Sequence, residues 1–361
     1  MLRSIPISCI SRPFSLISAT ALKRFSQSCE KSLLAARILV DFAGMPVAQG
    51  RFRDKRSEVP MYKKLLVPLD GSKTAERVLP FARALGGALK IPVELLEVID
   101  LSTMSLHVAA DKARYLDVLI AESENSAKEY LKEIAATFPG IEVTYTVKRG
   151  GPGDVIIERA AANQDTLITM ATHGRSGVSR WLMGSVAEKV LRGATTPLFL
   201  VRAGDEESVS SGAAALKSVI VALDGSELAE KVLPVVTEVA KLLNLSVVLF
   251  RAYELPASAY YGSEDYLPNY DALKKEVAED ARKYLDEKVA ALKGRGLPNV
   301  SAVLVEGAGA DEIIRYAHDH PDTLVAMCTH GRSGVKRWVL GSVTEKVVRH
   351  SDDPVLVVHA A

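Results

Sequence analysis

The strongest constraint in this sequence is that one unit is written twice. The segment KKLLVPLDGSKTAERVLP, ending at Pro80, matches KSVIVALDGSELAEKVLP, ending at Pro234, almost residue for residue. Farther on, DTLITMATHGRSGVSRWLMGSVAEKVLRGATTPLFLV, ending at Val201, matches DTLVAMCTHGRSGVKRWVLGSVTEKVVRHSDDPVLVV, ending at Val358. The offset is 154 between Asp70 and Asp224 and 157 between His173 and His330, so three residues enter in the middle. Internal repetition of this kind decides architecture before any motif does. The two copies span residues 61–202 and 215–361, and the polar stretch 203–214 between them has the composition of a flexible linker. With 361 residues, the chain is long enough for two or three domains with sizeable cores.

The first sixty residues are a different kind of sequence. They carry ten Lys and Arg against four Asp and Glu, whereas the whole chain balances 45 against 44. Between Met1 and Cys29 there is no acidic residue, and seven serines are scattered among Ile, Leu and Phe. That is the composition of an organelle transit peptide. A translated leader ahead of a start at Met61, or a functional tail, are the competing expectations for residues 1–60. The folded part is expected in the cytoplasm, or in mitochondria or another organelle if the leader is a genuine transit peptide. No run approaches the ~18 apolar residues a spanning helix needs, so no membrane partner is expected. The near-zero net charge leaves no basic stripe for nucleic acid. Cys9 and Cys29 lie in the leader and Cys328 stands apart, which makes neither a disulfide framework nor a zinc spacing.

Within each copy, short apolar runs alternate with amphipathic stretches, the pattern of parallel βα units. In the first copy the spacing predicts strands over 65–69, 93–99, 141–147, 167–171 and 197–201, the last at a sheet edge. Helices are predicted from Ser72 with a kink at Pro80, over 111–138, over 154–162 and from Ser185. Five strands with crossover helices make a doubly wound α/β sheet. Such sheets bind ligands at the carboxyl ends of their strands, at the topological switch point.

Two chemical elements fall at those ends. The first is Asp70-Gly71-Ser72, repeated as Asp224-Gly225-Ser226. Its carboxylate suits ribose hydroxyls, as acidic residues do in dinucleotide folds, or equally an Asx turn bonding its own backbone. The second is the glycine loop from His173 and Gly174 to Gly184-Ser185, repeated from His330 and Gly331 to Gly341-Ser342. Glycines that permit close approach, followed by a helix N-terminus, make an anion site suited to phosphate. The competing reading is an S-x-x-E capping box, Ser185 with Glu188 and Ser342 with Glu345, which would use the same N–H groups internally. No Walker A or G-x-G-x-x-G motif occurs. His173 and His330 lack the nucleophile elbow a triad would need, and Trp181 and Trp338 read as packing residues. No residue is assigned a catalytic or metal-ligating role, and whether the protein is an enzyme stays open.

These repeated residues resemble the universal stress protein family, over essentially all of 61–361. The family's signature is G-x2-G-x9-G-[ST] after a strand. Here it reads Ala171-x2-Gly174-x9-Gly184-Ser185 and Cys328-x2-Gly331-x9-Gly341-Ser342, with the spacing intact and the first glycine replaced in both copies. The resemblance implies a sheet order of 3-2-1-4-5 in each domain. It also implies pairing of the last strands, a built-in pseudo-dimer. Separately, folded domains with exposed last strands are able to assemble further, into a homodimer. By the same resemblance the ligand is ATP or AMP, with Mg2+ as the companion of a triphosphate. Asp70 and Asp224 would hold ribose, and Val98 and Ala252 would meet adenine. Gly174, Gly184, Ser185 and Val186 would contact phosphates in copy one, and Gly331, Gly341, Ser342 and Val343 in copy two. Cys328 puts a larger, oxidisable side chain beside that ligand than Ala171 does, so copy two is expected to be the weaker site. The functional expectation is a nucleotide-dependent stress regulator acting through protein partners. A nucleotide-free scaffold or chaperone-like protein of the same fold is the alternative, and a slow ATP hydrolase a third.

Overall fold

A computed structural model describes residues 62–101, 116–173, 183–202, 212–254, 270–331 and 340–359. The leader expectations for residues 1–60 lie outside the described residues, as do Gly174, Trp181, Trp338 and most of the linker. The chain divides into two units, Met1–Glu58 and Val59–Ala361, and every described residue belongs to the second.

The first half of that unit runs β1 (Lys64–Leu69), α1 (Lys73–Glu76), α2 (Leu79–Leu89), β2 (Val93–Ile99) and α3 (Leu116–Ala135). It continues through β3 (Val143–Arg149), α4 (Pro152–Ala161), β4 (Thr166–Ala171), α5 (Ser185–Gly193) and β5 (Leu198–Val201). The second half repeats the series as β6 (Ser218–Ala222), α6 (Glu227–Glu230), α7 (Val232–Leu243), β7 (Ser246–Tyr253) and α8 (Tyr270–Gly294). It closes with β8 (Val300–Glu306), α9 (Gly309–His318), β9 (Thr323–Cys328), α10 (Ser342–His350) and β10 (Val355–Val358).

The ten strands form one sheet, β3-β2-β1-β4-β5-β10-β9-β6-β7-β8. Each half therefore has the expected 3-2-1-4-5 order, with all internal pairings parallel. The strand at 197–201 is the edge of its own half's sheet, as expected, and the last strands of the two halves pair, as the resemblance implies: β5 runs antiparallel to β10 through Leu198–Val357, Phe199–Leu356 and Leu200–Val355. A short strand of four fully buried residues would expose unpaired backbone if left at an edge, and the twin strand satisfies it. Arg192 and Arg349 reinforce this seam, each bonding both Glu188 and Glu345 across the two halves at 3.0–3.3 Å.

Buried on both faces, the central strands read as near-continuous apolar runs, as parallel strands do. Odd positions of β1 (Leu65, Val67, Leu69) pack with α2, α3, α7 and α8. Even positions such as Leu66, Ile168 and Ile220 pack with α4, α5, α9 and α10. Both cores draw residues from both halves, so one hydrophobic layer on each side of the sheet is continuous across the seam. Pro80 does not kink a helix; it sits in the first turn of α2, after a break from α1. There its missing N–H costs no hydrogen bond. The 141–147 strand is shifted two residues, to Val143–Arg149. No described helix is long and apolar enough to cross a membrane.

Candidate functional site

Both chemical elements sit where the carboxyl ends of the central strands meet helix starts. At the end of β1, Asp70 Oδ1 accepts from the Ser72 N–H at 3.0 Å and from Ser72 Oγ at 2.6 Å. Ser72 Oγ accepts in turn from the Ala75 N–H at 3.1 Å and caps α1. Asp224, Ser226 and Ala229 repeat these bonds at 2.9, 2.7 and 3.2 Å. The turn requires glycine, since Gly71 and Gly225 have φ of 77° and 87°. The Asx turn thus exists in both halves, and it uses one carboxylate oxygen. The other oxygen of Asp224 faces the glycine loop: a Cβ built on Gly331 would lie 2.1 Å from Oδ2. Only glycine lets the loop come that close to the carboxylate.

Behind this turn, on the α8 side, Glu230 accepts from Tyr284 Oη at 3.0 Å and from Lys288 Nζ at 2.6 Å. The Arg251 guanidinium lies 5.0 Å from the centre of the Tyr284 ring and would touch any Cβ on Gly225.

The capping-box expectation is corrected. Gly184 and Gly341 are the N-caps, Ser185 and Ser342 are the first helical residues, and neither cap has a side-chain hydrogen bond. Glu188 and Glu345 are drawn instead to Arg192 and Arg349 at the seam. The two N-cap glycines lie against the preceding strand end. Gly184 N–H donates to the Thr172 carbonyl at 2.9 Å and Gly341 N–H to the Thr329 carbonyl at 2.8 Å. The result in each half is a helix N-terminus at the strand ends, with no side-chain hydrogen bond to its cap among the described residues.

In the second half these pieces line an open cavity of about 250 Å3. Asp224, Ala252, Cys328, Gly331, Gly341, Ser342 and Val343 all line it. Reading the sequence missed further lining residues, among them Phe250, Gly309, Ile313 and Met327. Gly309 carried a signal, because EGAGADE after β8 aligns with RGGPGDV after β3 and marks a second helix start at the strand ends. In the first half Asp70, Val98, Ala171, Gly184, Ser185 and Val186 occupy the corresponding places on β1, β2, β4 and α5.

Cys328 presents no reactive thiolate. Its Sγ points to the Ala229 carbonyl at 3.6 Å, and burial pushes the thiol up to about 12. His330 lines the cavity with Nδ1 3.0 Å from Thr329 Oγ1. Burial, with His330 as a second cause, pushes the nearby His359 imidazole down to about 4 from 6.5. The unfolded chain takes up that proton near pH 6.5 and the folded chain only near 4. His359 therefore contributes its full stability above about pH 6.5, and the contribution is lost as pH falls toward 4. Urea midpoints measured at about pH 7 and about pH 4.5 are expected to differ less in His359→Asn than in the parent chain. An equal difference in the two would show that His359 does not contribute.

Comparison with known proteins identifies the family. The sequence profile of the universal stress protein family matches residues 61–202 and again residues 215–359. A universal stress protein of Methanocaldococcus jannaschii is 29% identical over 147 residues, 41% of this chain and 86% of that relative. One from Thermus aquaticus is 31% identical over 142 residues, 39% of this chain and 98% of the relative. A crystal structure of a universal stress protein from Archaeoglobus fulgidus superposes with a TM-score of 0.58 at 22% identity, covering 83% of this chain and 99% of that one. That likeness speaks for the fold, in which two such units share one sheet. Matched once in each half and built on the duplicated strand-end turns described above, this chain belongs to the universal stress protein family, as a tandem of two of its units.

Proposed function

We propose that this protein is a nucleotide-dependent stress regulator that binds ATP or AMP at its strand-end sites. The observation that carries the reading is the second-half cavity, where a turn-held carboxylate, a glycine-thinned loop and a helix N-terminus without a side-chain cap among the described residues converge. In this reading Asp224 holds the ribose hydroxyls and Ala252 meets the base. Gly331, Gly341, Ser342 and Val343 offer the phosphates backbone N–H groups, which the helix dipole favours. Cys328 is a wall of the same site. Asp70, Val98, Ala171, Gly174, Gly184, Ser185 and Val186 play the same parts in the first half.

No group of three His, Cys, Asp or Glu side chains suited to a metal exists among the described residues. A Mg2+ ion would therefore be carried chiefly by the phosphates, where it neutralises charge. Residues 61–202 and 215–361 act as two domains tied by 203–214, and the β5–β10 seam makes them an intramolecular pseudo-dimer. Function follows from ligand-dependent affinity for a protein partner.

Calorimetric titration of the full chain with ATP, AMP and a non-adenine nucleotide, in the presence of magnesium, tests this. Adenine-selective binding is expected. Asp224→Asn keeps an acceptor for the Ser226 N–H but replaces the other carboxylate oxygen with a donor. It should weaken the second-half site by about tenfold or more, the range of a charged hydrogen bond. No heat from folded, nucleotide-free protein would end the nucleotide reading.

A further inference from the structure

The two halves present different walls at several equivalent points of the strand-end site, and two of these carry the argument. Ala252 and Gly309 line the second-half cavity; the aligned residues of the first half are Val98 and Pro152. The backbone at these points is the same in both halves. Val98 pairs with Lys148 and Ala252 with Val305, at matching positions of their ladders. Gly150 and Gly307, just before the helices, have φ of 137° and 142°. The helix caps that follow, Gly151 and Ala308, both have ψ of 120°. Pro152 and Gly309 are thus each the first residue of their helices, and the differences lie in the side chains alone.

These two differences, Val98 against Ala252 and Pro152 against Gly309, act in one direction. Valine for alanine and proline for glycine together place five more carbon atoms at the first-half site. Proline also removes a backbone N–H at the first helical position, where that group has no partner inside the helix. Gly309 keeps this donor beside the cavity. Three lining residues are bulkier on the second-half side, Cys328 against Ala171, Phe250 against Leu96 and Thr344 against Ala187. Cys328 turns its thiol to the Ala229 carbonyl, Phe250 is buried with its ring 5.3 Å from that of Tyr316, and Thr344 Oγ1 donates to the Cys328 carbonyl at 2.8 Å, so each spends its added bulk within the fold.

We infer that the second half is the tight nucleotide site, and that the first half binds the same ligand at least tenfold more weakly because Val98 and Pro152 stand where Ala252 and Gly309 do. The inference rests on the nucleotide reading above and reverses the ranking that Cys328 alone suggests.

The test is titration of the full chain with Mg-ATP, in the parent and in variants shown by circular dichroism to be folded. Two classes of site are expected, the tight one abolished or weakened by Asp224→Asn and untouched by Asp70→Asn. Gly309→Pro should weaken the tight class tenfold or more. It has room to fold, since the nearest atom to an added Cβ is Val343 Cγ2 at 3.9 Å and the first helical position accepts proline. Ala252→Val should act in the same direction, and Val98→Ala with Pro152→Gly should tighten the weak class. Two equal sites, or a tight class that follows Asp70→Asn, would overturn the inference while leaving nucleotide binding intact. Absence of any nucleotide heat would remove both readings together.

Discussion

Gly341→Val is expected to abolish nucleotide binding in the second half and to destabilise the fold by about 1–3 kcal/mol, the usual cost of forcing bulk into a packed site. A Cβ at this position would lie 2.9 Å from the Thr329 carbonyl oxygen. That oxygen is backbone, fixed at the end of β9, and it accepts the Gly341 N–H at 2.8 Å. Relief therefore requires α10 to back away from the strand, which carries the N–H groups of Ser342 and Val343 off the cavity. Gly331→Ala makes an informative contrast. Its Cβ would collide with Asp224 Oδ2, the end of a side chain rather than backbone. It should displace the carboxylate and weaken binding with less loss of stability. Calorimetry and urea denaturation separate the two outcomes. Wild-type affinity in Gly341→Val would show that the α10 N-terminus is not where the ligand binds.

Much of this site was legible in the sequence because duplication printed its parts twice. Asp70 and Asp224, and the glycines at 184 and 341, recur in identical local contexts, and local chemistry fixes their geometry: an Asx turn with a positive-φ glycine, and a helix start. What local pattern could not reveal were the outcomes of competition with the rest of the molecule. The S-x-x-E string fits a capping box, yet Glu188 bonds Arg349 at 3.2 Å, a residue 161 positions away. The boundary moves by one residue, and the cap passes to glycine. Similarly, nothing in LFLV at 198–201 itself names its partner, the same segment of the other copy; that pairing came from the family resemblance. The β3 boundary slipped because this strand lies at a sheet edge, where its half-exposed side chains weaken the apolar signal.

The seam between the halves divides its labour between charge and packing. The Arg192–Glu345 and Arg349–Glu188 pairs keep 21–39% of their side chains exposed. Pairs exposed to that degree are worth at most ~1 kcal/mol each. They suit the choice of partner and register rather than the strength of the join. The strength lies in the strands themselves, where β5 and β10 are buried at every position.

Phe199→Ala should accordingly be the most damaging single truncation at that seam, at ~3–5 kcal/mol. Phe199 is fully buried, stands opposite Leu356 at the centre of the antiparallel ladder, and packs its ring 5.7 Å from that of Phe81. Leu356 is its counterpart in the repeat, so the pair sits on the approximate twofold axis relating the halves, and the cavity left by alanine opens in a core that both halves share. Phe199→Leu supplies the control, since it installs the residue that the twin position already tolerates. It should recover most of the loss, leaving a cost of roughly 1.5 kcal/mol or less. Urea unfolding of the full chain measures both. Equal, small effects for alanine and leucine would mean that the seam contributes little to stability and that each half stands on its own core. A large loss with alanine and near-recovery with leucine would establish that the halves fold as one body through this contact.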